Sequence, residues 1–150
     1  MFRGSYIHSL DSKCRVSIPI RYREIINNRY DDRLIITVEL DRCLSLYPLG
    51  EWKVIEEKMS KLSMIDHDIL AYWRRVNLRL QDCVIDKQGR ILIPQKLKEY
   101  VGLNSEVIFI GVYNKIEIWD KGMEEDIERN GENEKIRRKM ASFWSEERVS

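Results

Sequence analysis

Apolar and polar positions fall into the same order twice along this chain, each time around a short polar turn. Residues 5–10 and 79–85 read as short strands leading into the turn. Val16-Ser17-Ile18-Pro19 and Ile91-Leu92-Ile93-Pro94, β-branched and apolar, predict a second strand closed by proline. A helical stretch follows in each case, over residues 20–26 and over 95–101, the latter ended by Gly102. Residues 34–38 and 107–112 are almost continuously apolar, as strands buried on both faces are. Each precedes a loop (39–43 and 113–115) and a short return strand. Trp52, Ile55, Met59 and Leu62 recur at helical spacing, and Ile69, Tyr72, Trp73 and Val76 continue a second helical face. Met123 and Ile127 open a further helix that Asn130-Gly131 interrupts, and Ile136, Met140, Phe143 and Trp144 form a last stripe. These stripes are expected to pack into the core, with the C-terminal one the best placed to meet a neighbouring subunit.

The repetition extends to the residues themselves. Asp11-Ser12-Lys13-Cys14-Arg15-Val16-Ser17-Ile18-Pro19 aligns with Asp86-Lys87-Gln88-Gly89-Arg90-Ile91-Leu92-Ile93-Pro94 at a constant shift of 75. Leu44-Ser45-Leu46-Tyr47 then aligns with Ile116-Glu117-Ile118-Trp119 at a shift of 72. One unit is therefore used twice. The expected division is a first half over 1–78 and a second over 79–150, the latter carrying a helical tail. In the second turn Gly89 supplies the positive φ that a tight turn requires.

At 150 residues, 43% hydrophobic and 34% charged, the composition is that of a folded globular protein rather than a disordered one. No apolar run approaches the roughly 18 residues that span a bilayer, and Met1-Phe2-Arg3-Gly4 leads straight into polar sequence, so a cytoplasmic, non-membrane protein is expected. The three cysteines, Cys14, Cys43 and Cys83, are odd in number and lack metal-ligand spacing, which argues against a disulfide framework or a zinc ribbon. The net charge of +1 hides a segmented distribution: +4 over residues 1–30, −4 over 31–73, +5 over 74–98 and −4 over 99–150. Both turns lie in the basic segments, which points to a polyanionic partner.

Catalytic arrangements fare poorly. An aspartic dyad would need two carboxylates sharing a proton, whereas Lys13 and Arg15 crowd Asp11, and Lys87 and Arg90 crowd Asp86. His8 and His67 stand beside no Ser or Cys in a recognisable motif, and no glycine-rich phosphate loop exists. Asp66-His67-Asp68 has metal-ligand types without a second cluster and reads better as a helix start. No enzyme, cofactor, metal or small-molecule substrate is expected. The turns remain, with Asp11 and Asp86 capping backbone N–H groups. Arg15 and Arg90 offer planar forks for phosphate or guanine. Further cations are Lys13, Arg21 and Arg23 in the first copy and Lys87, Lys96 and Lys98 in the second, with Arg3 at the chain start. Arg74, Arg75 and Arg79 fit a solvated helix face equally well. Without an RNA-type stacking motif, duplex DNA is the expected ligand.

The residues Met1-Phe2-Arg3-Gly4, the two Asp-x-x-x-Arg turns with their Ile-Pro endings, and Ile116-Glu117-Ile118-Trp119 resemble the MraZ family of bacterial transcriptional regulators over nearly the whole chain. That resemblance implies an α+β fold built on a swapped-hairpin barrel of the AbrB type, with two pseudo-symmetric halves and peripheral helices. It also implies a ring-like homo-oligomer associated with the nucleoid. Its DNA target would be short direct repeats in the promoter of the division and cell-wall gene cluster, with Arg15, Arg90, Lys13 and Lys87 as the matching contact positions. Cys14 departs from the family glycine, so the two turns are expected to be unequal. AbrB-type barrels also occur in antitoxins, which makes a protein-interaction module acting through the 120–150 segment the competing reading.

Overall fold

The computed structural model describes residues 1–149. Along them run β1 (Ser5–Ser9), β2 (Arg15–Ser17), α1 (Ile20–Arg29), β3 (Arg33–Thr37), β4 (Leu44–Pro48), α2 (Leu49–Ser63), α3 (His67–Arg79) and β5 (Gln81–Val84). They continue as β6 (Arg90–Leu92), α4 (Gln95–Val101), β7 (Glu106–Val112), β8 (Lys115–Asp120), a single 3-10 turn (Lys121–Met123), α5 (Glu124–Asn130) and α6 (Glu134–Val149). The protein is mixed α+β. Prolines mark three of the strand-to-helix boundaries: Pro19, Pro48 and Pro94, at φ −51, −57 and −58, end the strand ladder and enter α1, α2 and α4. Asp66 caps α3 through its side chain, accepting from the N–H groups of Asp68 at 2.9 Å and Ile69 at 3.4 Å. Gly102 closes α4 in the left-handed region at φ 72.

The main sheet is antiparallel, in the order β1-β7-β8-β4-β3-β5, and a separate ribbon pairs β2 with β6. This order reads the same backwards when the two copies are exchanged. Each copy's first strand is laid on the other copy's hairpin, β1 on β7 with Ser5 opposite Ile110 and β5 on β3 with Leu34 opposite Cys83. The two hairpins meet along β4 and β8, where Ser45 faces Glu117. One core consequently draws on both copies, with Ile18, Tyr22, Leu34 and Ile36 joined by Ile91, Leu97, Val107 and Phe109. A second cluster of Ile35, Tyr47, Trp52 and Val76, backed by Trp73, lies under the α2–α3 pair. Neighbouring Ile35 and Ile36 thus face different cores, which is why β3 is apolar without alternation.

Three expectations need correction. The barrel does not close through strand pairing, because the sheet ends at β1 and β5 and the ribbon stands apart. The ladder groups of β2 and β6 are directed at each other, and prolines follow each strand within two residues. Residues 79–85 are not one strand, since α3 runs through Arg79 and extended backbone begins at Leu80. The C-terminal stripe does not join the core: Met140, Phe143 and Trp144 are 43%, 48% and 54% exposed. Both core clusters are built from the strands and from side chains of α1, α2, α3 and α4, and no residue of α6 belongs to either.

Candidate nucleic-acid interface

Each Asp-x-x-x-Arg segment is a three-residue loop closed by its own aspartate. In the first, Asp11 N–H donates to the Arg15 carbonyl at 2.9 Å and Cys14 N–H to the Asp11 carbonyl at 3.1 Å. Oδ1 of Asp11 accepts from the N–H groups of Lys13 and Arg15, both at 2.9 Å, while Oδ2 accepts from Arg15 Nε at 2.8 Å. The second loop repeats this set. Asp86 Oδ1 accepts from the N–H groups of Gln88 at 2.8 Å and Arg90 at 2.9 Å, and Oδ2 from Arg90 Nε at 3.1 Å. The fourth position is left-handed in both, φ 61 at Cys14 and φ 79 at Gly89, as a three-residue hairpin loop requires. A cysteine therefore occupies backbone that favours glycine.

These bonds fix the ionisation of the aspartates. The Arg15 backbone N–H, more than its guanidinium, holds the Asp11 carboxyl below the ordinary 3.8. The Arg90 backbone N–H does the same for Asp86. Each arginine commits Nε to its aspartate, and among the described residues neither presents an Nη group to a protein acceptor. Both forks are thereby aimed but unfilled.

The ribbon brings the two loops together. Arg15 faces Leu92, Val16 faces Ile91 and Ser17 faces Arg90, so a pseudo-twofold axis passes between Val16 and Ile91. Strand alternation puts Val16 and Ile91 on the inner face, each 1% exposed, and Arg15, Ser17, Arg90 and Leu92 on the outer one. Arg15 and Arg90 are diagonal neighbours there, roughly 7–8 Å apart at the backbone. His8 ties the ribbon to the sheet: its Nδ1 donates to the Ser17 carbonyl at 2.7 Å, and its ring meets Phe109 edge-on at 5.5 Å. That packing role accounts for the histidine.

Lys13 and Lys87 are exposed on the two loops beside their arginines. Arg3 lies elsewhere, lining a hollow with Arg21, Tyr6 and Tyr22 near the chain start. Its backbone crosses Gly111 so closely that a Cβ there would collide with the Arg3 nitrogen.

Three other cations have structural partners. Arg23, grouped by sequence with Arg15, instead lies over Gly89 of the other loop and donates from Nε to the Ile18 carbonyl at 2.9 Å. Arg75 donates to the Glu39 carbonyl at 2.7 Å and to the Tyr100 hydroxyl at 3.1 Å, and Arg79 stacks on the Tyr100 ring at 4.0 Å. Gln95, absent from the sequence-based set, accepts from the Cys14 thiol at 3.2 Å. The one signal for these trans contacts was the shift of 75, which makes Arg23 the counterpart of Lys98. Asp66, His67 and Asp68 begin α3, as their sequence suggests.

Fold and loops together define a duplicated α+β protein whose two halves present one pair of Asp–Arg turns on a shared ribbon. The chain belongs to the MraZ family: the family model described as "MraZ protein, putative antitoxin-like" matches residues 1–72 and 80–142. A protein from Clostridium acetobutylicum named "Transcriptional regulator MraZ" is 48% identical over 121 residues, covering 81% of this chain and 82% of its own. Proteins of the same name from Acetivibrio thermocellus and Clostridium tetani are 43% and 41% identical, covering 94% and 95% of this chain and 97% and 99% of theirs. Among the described residues no helix is long and apolar enough to cross a membrane.

Proposed function

We propose that this chain is a DNA-binding transcriptional regulator that reads duplex DNA with Arg15 and Arg90, assisted electrostatically by Lys13 and Lys87. The observation that carries the reading is the outer face of the β2–β6 ribbon, where both arginines stand as diagonal neighbours with Nη groups that no described residue accepts from. A two-stranded ribbon fits the major groove of B-DNA, and an arginine fork matches guanine O6 and N7 or a phosphate. The name shared by the relatives agrees with this role. We read the exchange of β1 and β5 between residues 1–78 and 79–150 as the swapped-hairpin arrangement of AbrB-type proteins. The remainder of the reading rests on the family: short direct repeats in the promoter of the division and cell-wall gene cluster, bound on the nucleoid by a ring-like homo-oligomer. Linked weak contacts on repeated boxes gain from effective concentration. This reading assigns the chain no catalytic chemistry, and it gives Arg3, which lies away from the ribbon, a flanking DNA contact.

The test is fluorescence anisotropy with the DNA upstream of the protein's own gene and with a scrambled duplex, across a salt series. Tighter, salt-dependent binding to the native duplex is expected. Arg90→Ala should weaken it by about 1–3 kcal/mol if the contact is bidentate to a base, and equal weakening on both duplexes would assign the arginine to phosphate. Absence of binding by the folded protein refutes the reading.

A second reading draws on the exposed Met140, Phe143 and Trp144 of α6 and on the family description: an antitoxin-type module that holds a partner protein through its tail. Deleting residues 123–150 separates the two. Loss of self-association with weakened DNA avidity assigns the stripe to a second copy. Unchanged oligomeric state and DNA binding favour the partner protein.

A further inference from the structure

The two halves differ at the left-handed corner of each loop and in the residue that lies over it. At Gly89 the space a side chain would take is filled by Arg23 from the opposite half: a built Cβ would fall 2.7 Å from Cζ and 2.9 Å from Cδ, and closer still to Nη1. Gly89 is accordingly buried, although the loop around it is exposed. The same arginine closes a small circuit. Ile18 N–H donates to the Gly89 carbonyl at 2.9 Å, and Arg23 Nε donates to the Ile18 carbonyl at 2.9 Å. Arg90, next in sequence, springs from this clamped corner.

The counterpart corner is held differently. Cys14 carries its own Cβ at that corner, and the sequence counterpart of Arg23 at the shift of 75 is Lys98. Ile93 N–H still donates to the Cys14 carbonyl at 2.8 Å, but among the described residues no side chain donates to the Ile93 carbonyl. The remaining tie is the thiol–Gln95 contact at 3.2 Å, a weak hydrogen bond donated by the Cys14 thiol to an exposed helix residue. A lysine has a single flexible terminus and cannot cover a backbone corner with a planar group as arginine does.

We infer that Arg23 is a positioning residue that braces the Gly89 loop across the two halves, so that Arg90 is held rigidly for its ligand while Arg15, on the unbraced Cys14 loop, adapts. This rests on the DNA reading above for its consequence, though not for the brace itself. A held fork loses less freedom on binding than a loose one, so Arg90 carries more of the affinity than Arg15. Arg23 acts through Arg90 and touches no phosphate.

The experiment combines amide hydrogen exchange of the free protein with duplex binding for Arg23→Ala, Arg23→Lys and Arg90→Ala, using variants whose thermal unfolding shows them folded. Arg23→Ala should speed exchange at the Gly89 and Arg90 amides and leave those of Cys14 and Arg15 unchanged. It should weaken binding several-fold without altering the slope of log affinity against log salt. Combined with Arg90→Ala, it should add nothing further. Arg23→Lys, which keeps the charge and loses the Nε donor, should behave like Arg23→Ala. Unchanged exchange at Gly89, a slope shallower by about one charge, full rescue by lysine, or additivity with Arg90→Ala would each overturn the inference. If the wild-type protein binds no duplex, the DNA reading fails by itself, and the exchange data still decide whether the brace exists.

Discussion

Placing a methyl group at residue 89 perturbs two terms that the structure separates. Gly89 has φ 79, where an L-residue costs roughly 1–2 kcal/mol. The new Cβ also displaces Arg23, whose Nε hydrogen bond to the Ile18 carbonyl involves a charged donor and contributes about 1–2 kcal/mol at this half-buried site. Restricting the unfolded chain returns about 0.4–1 kcal/mol. Gly89→Ala should therefore destabilise the protein by about 2–3 kcal/mol, which at this chain length lowers Tm by roughly 5–10 °C. In an Arg23→Ala background the displaced group is gone, and the cost should fall to about 1 kcal/mol. The assay is urea unfolding of the four proteins at one fixed concentration, since association shifts apparent stability. Equal costs in the two backgrounds, within about 0.5 kcal/mol, would refute the claim that Arg23 fills the glycine's space. Cys14→Gly is the mirror experiment. Relief of the φ 61 strain is largely offset by added chain entropy and the lost Gln95 contact, so its expected effect lies between zero and about 1 kcal/mol of stabilisation. The same chemical position thus responds oppositely in the two halves.

Two further outcomes follow from the site chemistry. The Asp11 and Asp86 carboxyls should titrate below 3.8 by NMR. Lowered carboxyl values mean that the loops' ionic contribution is complete above the unfolded-state value and is lost as pH falls through the folded one. Arg15→Gln should raise the Asp11 value only partly, because the backbone N–H at residue 15 is its largest cause; full reversion would show the guanidinium to dominate. In native protein at pH 8, iodoacetamide should modify Cys14 alone. Cys43 and Cys83 are buried, and burial pushes the Cys83 thiol up to about 12 and raises that of Cys43 too. Native-state labelling of Cys83 would contradict this packing.

What the sequence made legible was local. The left-handed corner at Gly89, the prolines after each short strand, the helix start at Asp66-His67-Asp68 and the termination at Gly102 are each dictated by the local preferences of one to three residues. The run 34–38 declared a strand covered on both sides, and Ile35 and Ile36 do face two cores. Pairing across the halves was not legible in the residue pattern and was implied only by the family resemblance, because β1 seeks β7 and β5 seeks β3 through contacts remote in sequence. Arg23 was misplaced for the same reason. It lies eight residues from Arg15, yet the exchange of strands carries it to the other loop. The α6 stripe states that one helix face is apolar, and no periodicity can state what covers it.

The pattern of divergence between the halves follows the axis that relates them. Val16 and Ile91 face each other across the ribbon at 1% exposure, so each constrains the other's volume, and both remain β-branched and apolar. The outward positions have no such mutual constraint. Ser17 corresponds to Leu92, which is 60% exposed, and Cys14 corresponds to Gly89. Fusing two units into one chain lets the inner face keep its symmetry while the outer face acquires a direction. A homodimer of single units would have to present identical loops. If Arg23 braces the Gly89 corner as proposed, one arginine stands on a clamped corner and one on a freer corner, and the ribbon would distinguish the two ends of a bound duplex.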